Sequence, residues 1–203
     1  MKIRSLEFAG TVVDPTAPLP SDLPQIAFAG RSNVGKSSLI NTLLRRTRKA
    51  IARVSGEPGK TRAINFFRVN DAFFLVDLPG YGFARVPASV RESWKELVEG
   101  YLARKDGPQG VVQLIDARHE PTALDLEMME YLAGLGVPAI VALTKVDKLK
   151  WSQRAARING LTDHLGVDAS QIIPFSSKTG EGREELADAL LALLASEGVE
   201  GAE

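Results

Sequence analysis

The strongest constraint on the fold lies between residues 25 and 44. A short apolar run, Gln25-Ile26-Ala27-Phe28-Ala29, stops at Gly30. From Lys36 onward the spacing turns helical, with Leu39, Ile40, Leu43 and Leu44 on one face as far as Arg46. Between them stands Gly30-Arg31-Ser32-Asn33-Val34-Gly35-Lys36-Ser37, followed by Ser38. Two glycines with four residues between them, then lysine and a hydroxyl residue, form the phosphate-binding P-loop pattern in its strand–turn–helix context. Glycine lets the backbone approach phosphate oxygens without a Cβ in the way. Loop amides pointing inward make an anion nest, and the start of the helix adds its positive dipole end. Lys36 is expected to reach the β- and γ-phosphates and the Ser37 hydroxyl to ligate Mg²⁺.

The remaining pattern alternates. Apolar runs at Ile64–Val69 and Ala72–Val76, separated by Asn70-Asp71, predict an antiparallel hairpin. Helical spacing covers Ala88–Arg104, Thr122–Ala133, Ser152–Leu165 and Arg183–Leu194, and strands are expected at Gly110–Ile115, Pro138–Leu143 and Gln171–Phe175. Strands alternating with helices imply a mostly parallel sheet covered on both faces. From residue 23 the count is six strands, one reversed by the hairpin. A further strand, Ser5–Val13, is expected ahead of an irregular stretch holding Pro15, Pro18, Pro20 and Pro24. The expected organisation is therefore an N-terminal strand and irregular lead-in over residues 1–22 that pack on the main domain, that domain over 23–196 and a flexible tail over 197–203.

Three further segments carry chemistry. Asp77-Leu78-Pro79-Gly80 closes an apolar strand, so Asp77 is expected to hold Mg²⁺ through water and the Gly80 amide to contact the γ-phosphate. Pro58-Gly59-Lys60-Thr61 lies in a glycine-bearing loop; Thr61 is the candidate for capping Mg²⁺ and the γ-phosphate, an ordinary loop threonine being the alternative. Thr144-Lys145-Val146-Asp147 ends another apolar run. An acceptor-only carboxylate at Asp147 matches the N1–H and N2 amine of guanine, a donor pair that adenine lacks. The Lys145 stem is expected over the base, and Ser176-Ser177-Lys178 beside it, with the Ser177 amide serving the guanine O6. Lys36, Thr61 and Gly80 are thus the candidate catalytic groups.

Taken in order, these elements resemble the TRAFAC-class translation-factor-like GTPases, and more narrowly the EngB/YsxC-type (YihA-type) bacterial GTPases. The resemblance rests on Phe28 to Asn41, Pro58 to Arg62 with Ile64-Asn65-Phe66-Phe67, Asp77 to Ala84, and Leu143 to Lys148, and spans about residues 8–195. It implies a three-layer Ras-like G domain, with GTP/GDP as ligand and Mg²⁺ as cofactor. It also implies a monomeric switch in assembly of the pre-50S ribosomal particle, tied to cell growth, division and septation. Tyr81 stands where many GTPases place a water-orienting glutamine, which implies slow intrinsic hydrolysis. Asn33 has two readings: a ligand of K⁺ beside the phosphates, or a group that satisfies loop amides.

Composition narrows the partners. From Arg45 to Arg68 the basic residues are Arg45, Arg46, Arg48, Lys49, Arg53, Lys60, Arg62 and Arg68 against Glu57 alone. Formal charge over the 203 residues is zero, so this segment stands out as a candidate contact for rRNA phosphates; a solvated loop is the alternative. Absence of cysteine excludes disulfides, thiolate metal sites and cysteine nucleophiles. No run approaches the ~18 apolar residues of a membrane span, so a cytoplasmic protein without a membrane partner is expected. A signalling GTPase acting on a protein effector is the alternative function; Gly201-Ala202-Glu203 carries no prenylated cysteine. His119 and His164 lack zinc spacing, and Trp94 and Trp151 read as packing residues, RNA stacking being the alternative.

Overall fold

A computed structural model describes residues 3–44, 63–82 and 88–195. In chain order these form β1 (Leu6–Val12), β2 (Gln25–Gly30), α1 (Lys36–Leu43), β3 (Ile64–Val69) and β4 (Phe73–Asp77). There follow α2 (Ala88–Leu102), β5 (Gly110–Asp116), α3 (Ala123–Leu135), β6 (Ala139–Thr144), α4 (Trp151–Leu165), β7 (Ile172–Pro174) and α5 (Arg183–Ala195).

The strands make one sheet in the order β1-β3-β4-β2-β5-β6-β7. β2, β4, β5, β6 and β7 run parallel, and β3 is antiparallel to both of its neighbours. One strand is therefore reversed, as expected, but the count is seven rather than six. The seventh is β1, which pairs with β3 from Leu6↔Val69 to Val12↔Ile64 and so extends the sheet beyond the strands counted from residue 23. The β3–β4 reversal uses Asn70 and Asp71, at φ 54° and 51°. Val69 pairs with Phe73, so residues 70–72 make the connection; Ala72 N closes it on Val69 O (2.9 Å), and asparagine and aspartate tolerate the left-handed conformation.

Alternation along the central strand sorts the two faces. Ile26 and Phe28 face α1 and α5, packed with Leu39, Ile40, Leu43, Leu186 and Leu190. Ala27 and Ala29 face α2 and α3, packed with Leu97, Val98, Tyr101 and Leu132. α4 covers the far end, where Leu161 and Leu165 meet Ile115, Val141 and Leu143. Each fully buried side chain of this size contributes ~1.5–3 kcal/mol relative to exposure, so the central strand is the most firmly held element. The stretch before β2 is fixed to the end of α2, where the Arg104 guanidinium donates to the carbonyls of Pro15 (2.7 Å) and Ala17 (3.0 Å).

The consequence for function is one of direction. The ends of β2, β4, β5 and β6 deliver Gly30, Asp77, Asp116 and Thr144 to the same edge of the sheet. The loop after β7 brings Ser176 there too. In parallel α/β sheets that carboxyl edge is where ligands sit.

Candidate functional site

The phosphate end is built from β2, α1 and β4. Gly30 is closed in: a Cβ there would lie 3.0 Å from Val34 Cγ1 and 3.1 Å from Leu114 Cβ. Gly35 caps α1 at φ 106°, a conformation that an L side chain strains to adopt. It has no side chain to cap the helix, and the first turn of α1 holds no acid. The positive end of the helix is therefore not countered by a side chain of its own first turn. Lys36 Nζ forms an ion pair with Asp77 Oδ1, joining helix and strand. The segment after Asp77 is tied to the P-loop by its backbone. Ser32 N donates to Tyr81 O (2.9 Å), and Leu78 N to Phe28 O (3.1 Å).

The base end is bolted onto the same loop. The Thr144 hydroxyl donates to the carbonyl of Val34 (2.7 Å), with Ile115 O also in reach (3.3 Å). Lys145, at φ 61°, sends its ammonium to Asn33 O (2.7 Å) and Asp116 Oδ2 (2.8 Å). Its aliphatic stem runs beside Gly35. Burial works against the Asp116 carboxylate, but hydrogen bonds from Arg118 and Lys145 outweigh it and hold its pKa well below the ordinary range. Asp147 sits in a single helical turn, Val146–Lys148, and accepts from the Ser176 hydroxyl at 2.8 Å. Ser176 Oγ in turn accepts from the amides of Lys178 and Thr179, both at 3.2 Å. Ser176 is fully buried, so this hydroxyl fixes both the 176–179 turn and the carboxylate.

Tyr81 turns away from the phosphate end. Its phenol donates to Asp125 Oδ1 (2.8 Å) and accepts from the amide of buried Gln113. Burial pushes its pKa well up, and the Asp125 charge adds to that, so it stays a neutral donor. Asp125 also accepts from the Thr122 amide (2.8 Å) and hydroxyl (2.7 Å), which caps the start of α3. The segment after Gly80 is thereby pinned to α3.

The structure thus brings together Gly30 to Ser38, Asp77 to Gly80, Thr144 to Asp147 and Ser176 to Lys178. Pro58, Gly59, Lys60 and Thr61 lie outside the described residues, as do residues 45–62 of the basic segment and the tail. Arg68, its one described basic residue, is paired with Glu7 and Asp71. Sequence reasoning missed two site-shaping groups, Asp116 and Asp125, and placed Ser176 at the site without the role of its side chain. Asp116 carries the same signal as Asp77, an acid closing an apolar strand. Asp125 is visible as the fourth residue of a Thr-x-x-Asp helix start. The side chain of Ser176 has no sequence signal beyond its motif.

A seven-stranded sheet with a glycine-capped P-loop, and an aspartate held beside it on the next strands, defines a P-loop GTPase. The family described as 50S ribosome-binding GTPase matches residues 25–145. A protein described as probable GTP-binding protein EngB from Gemmatimonas aurantiaca is 55% identical over 196 residues, covering 96% of this chain and 95% of the relative. One of the same description from Pelotomaculum thermopropionicum is 48% identical over 192 residues, covering 94% and 96%. The crystal structure of a probable GTP-binding protein engB superposes with TM-score 0.72 at 31% identity, covering 85% of this chain and 99% of that one. Aquifex aeolicus Era bound to GDP and aluminium fluoride gives 0.66 at 25%, covering 84% and 56%. The chain belongs to the EngB GTP-binding proteins.

Proposed function

We propose that the chain is a GTP-driven switch in assembly of the large ribosomal subunit, working in the cytoplasm as a monomer. One observation carries the nucleotide part. The strand end bearing Thr144, Lys145 and Asp147 is hydrogen-bonded directly to the P-loop at Val34 and Asn33, so base recognition and phosphate binding form one rigid unit. Asp147 pairs with guanine N1–H and N2, and the Lys145 stem lies over the base. The Ser177 amide serves O6. Lys36 exchanges its contact with Asp77 for the β- and γ-phosphate oxygens as GTP enters.

That exchange leaves a buried Asp77 carboxylate in need of a cation. Ser37, Asp77 and Thr61 offer hydroxyl and carboxylate oxygens, the donor set that suits Mg²⁺, with Asp77 acting through water. Magnesium, when bound, supplies positive charge where negative charge develops on the phosphates. Thr61 and the Gly80 amide read the γ-phosphate. The Tyr81 hydroxyl is committed to Asp125 and Gln113, so Tyr81 does not take the glutamine role and hydrolysis is slow until a partner supplies a water-positioning group. The exposed Asn33 side chain is the candidate K⁺ ligand.

The family's description supports the ribosome as partner. The basic segment 45–68 suits rRNA phosphates. Co-sedimentation with 50S and pre-50S particles in GTP, GDP and nucleotide-free states tests this. Binding that favours GTP is expected, and equal recovery in all three states would refute the switch. Single-turnover hydrolysis is expected to rise with particles present and in K⁺ over Na⁺, the latter only while Asn33 is intact.

A further inference from the structure

Tryptophan is among the side chains most buried on average, yet Trp151 is 86% exposed at the first position of α4. Its setting explains why. The α4 residues that reach the core are Ile158, Leu161 and Leu165, while residues 151–153 at its start are exposed. The stretch of sequence around Trp151 is basic. Residues 148–162 contain Lys148, Lys150, Arg154 and Arg157 and no acid. Arg154 is held by Glu181, which ties α4 to the 176–181 turn carrying exposed Lys178, and Arg157 is held by Glu120. Lys150 is exposed, and Lys148 stands 3.9 Å from the Asp147 carboxylate.

We propose that this face is a single-stranded RNA platform, on which an unstacked base lies against Trp151 while Lys148, Lys150 and Lys178 hold the flanking phosphates. Exposed aromatic rings between cations are how proteins bind single strands, because stacking accepts any base and phosphates supply the charge. An acidic protein segment would meet the lysines equally well but leaves a flat, unshielded indole without a pocket to fill. The platform is continuous with the base end of the nucleotide site: Asp147 and Lys148 share one turn, and the 176–181 turn borders both. It shares no residue with the basic segment 45–68. The proposal rests on the ribosome reading above and says which surface meets the RNA.

Trp151 is one of only two tryptophans, and Trp94 is 7% exposed, so Trp151 is the solvent-facing fluorophore. The full chain saturated with GDP is titrated with a guanine-free single-stranded RNA of about twelve nucleotides, a length within single-strand site sizes. Quenching of the exposed emission is expected. Trp151→Ala abolishes the quench and weakens binding roughly ten-fold, while Trp151→Phe retains most of the affinity. Lys148→Gln with Lys150→Gln lowers the salt slope by about 1.4. GTP turnover by Trp151→Ala is unchanged, which shows that the fold is intact. RNA binding without a change in emission, or Trp151→Ala binding as tightly as the parent, overturns the platform. Co-sedimentation separates the two readings. If the parent pellets with particles and Trp151→Ala does so equally, the platform fails and the ribosome reading stands. If the parent does not pellet in any nucleotide state, the ribosome reading fails, and the titration alone decides the platform. If Trp151→Ala pellets poorly but no RNA quenches the parent, the occupant is a protein and the platform is wrong.

Discussion

Removing one oxygen, in Tyr81→Phe, separates two roles for the position after Gly80. The phenol makes one hydrogen bond to a carboxylate and one with a neutral amide. A bond to a charged group contributes ~1.5–3 kcal/mol and a neutral one ~1 kcal/mol. Asp125 keeps its two contacts to Thr122, so its loss lies toward the lower end. Gln113 is fully buried and loses a partner that water cannot replace. The sum is a destabilisation of about 2–4 kcal/mol. With a urea m-value of ~2–3 kcal/mol/M for a chain of this size, the unfolding midpoint falls by about 1 M. Single-turnover hydrolysis of preloaded GTP, measured without urea, is expected to stay within about two-fold of the parent, because the hydroxyl faces α3. A ten-fold slower rate in folded protein would mean that the hydroxyl orients the attacking water. An unchanged midpoint would mean that the network carries no weight. Either result refutes the reasoning.

Ser176→Ala removes the donor to Asp147 and the acceptor for two amides, so GTP and GDP affinities should fall together, by about ten-fold in a direct titration, with no change in the rate for bound GTP. Asp147→Asn is expected to weaken GTP by at least about a hundred-fold and to admit xanthosine triphosphate, whose C2 carbonyl accepts from the new amide. The Asp116 carboxylate has a depressed folded pKa, so its contribution is complete above the ordinary value of 3.8 and is lost only as pH falls through the folded value. The Lys145 contact should therefore persist down to about pH 5, while Asp116→Asn should weaken GTP at every pH in that range.

Much of the site was legible because the residues proposed to bind phosphate and guanine fall in short consecutive groups, and each group follows an apolar run that announces its strand. The hairpin was legible for the same local reason, two turn-forming residues between apolar runs. β1 was harder to assign. Its buried neighbours lie more than fifty residues away on β3, four prolines part it from β2, and only Val12 of its residues is fully buried. Trp151 was read as packing because helical spacing says which residues share a face, not where the helix leaves the body of the protein. The part played by Tyr81 depended on Gln113 and Asp125, which meet it only through the tertiary fold.

The pairing of β1 with β3 also sets an order of events during synthesis. Leu6 finds its partner at Val69 and Val12 at Ile64, so the first strand made is 52–63 residues ahead of its mate. At elongation rates of ~5–20 residues per second that is a wait of roughly 3–13 seconds. Throughout it, the segment containing Phe8 and Val12 is without its sheet neighbour among the described strands. The core strand β2 lies between them in sequence and meets the same delay on the β4 side. The edge of the sheet therefore closes only after the hairpin has been made, and the N-terminal segment remains open to chaperones and tags until that point.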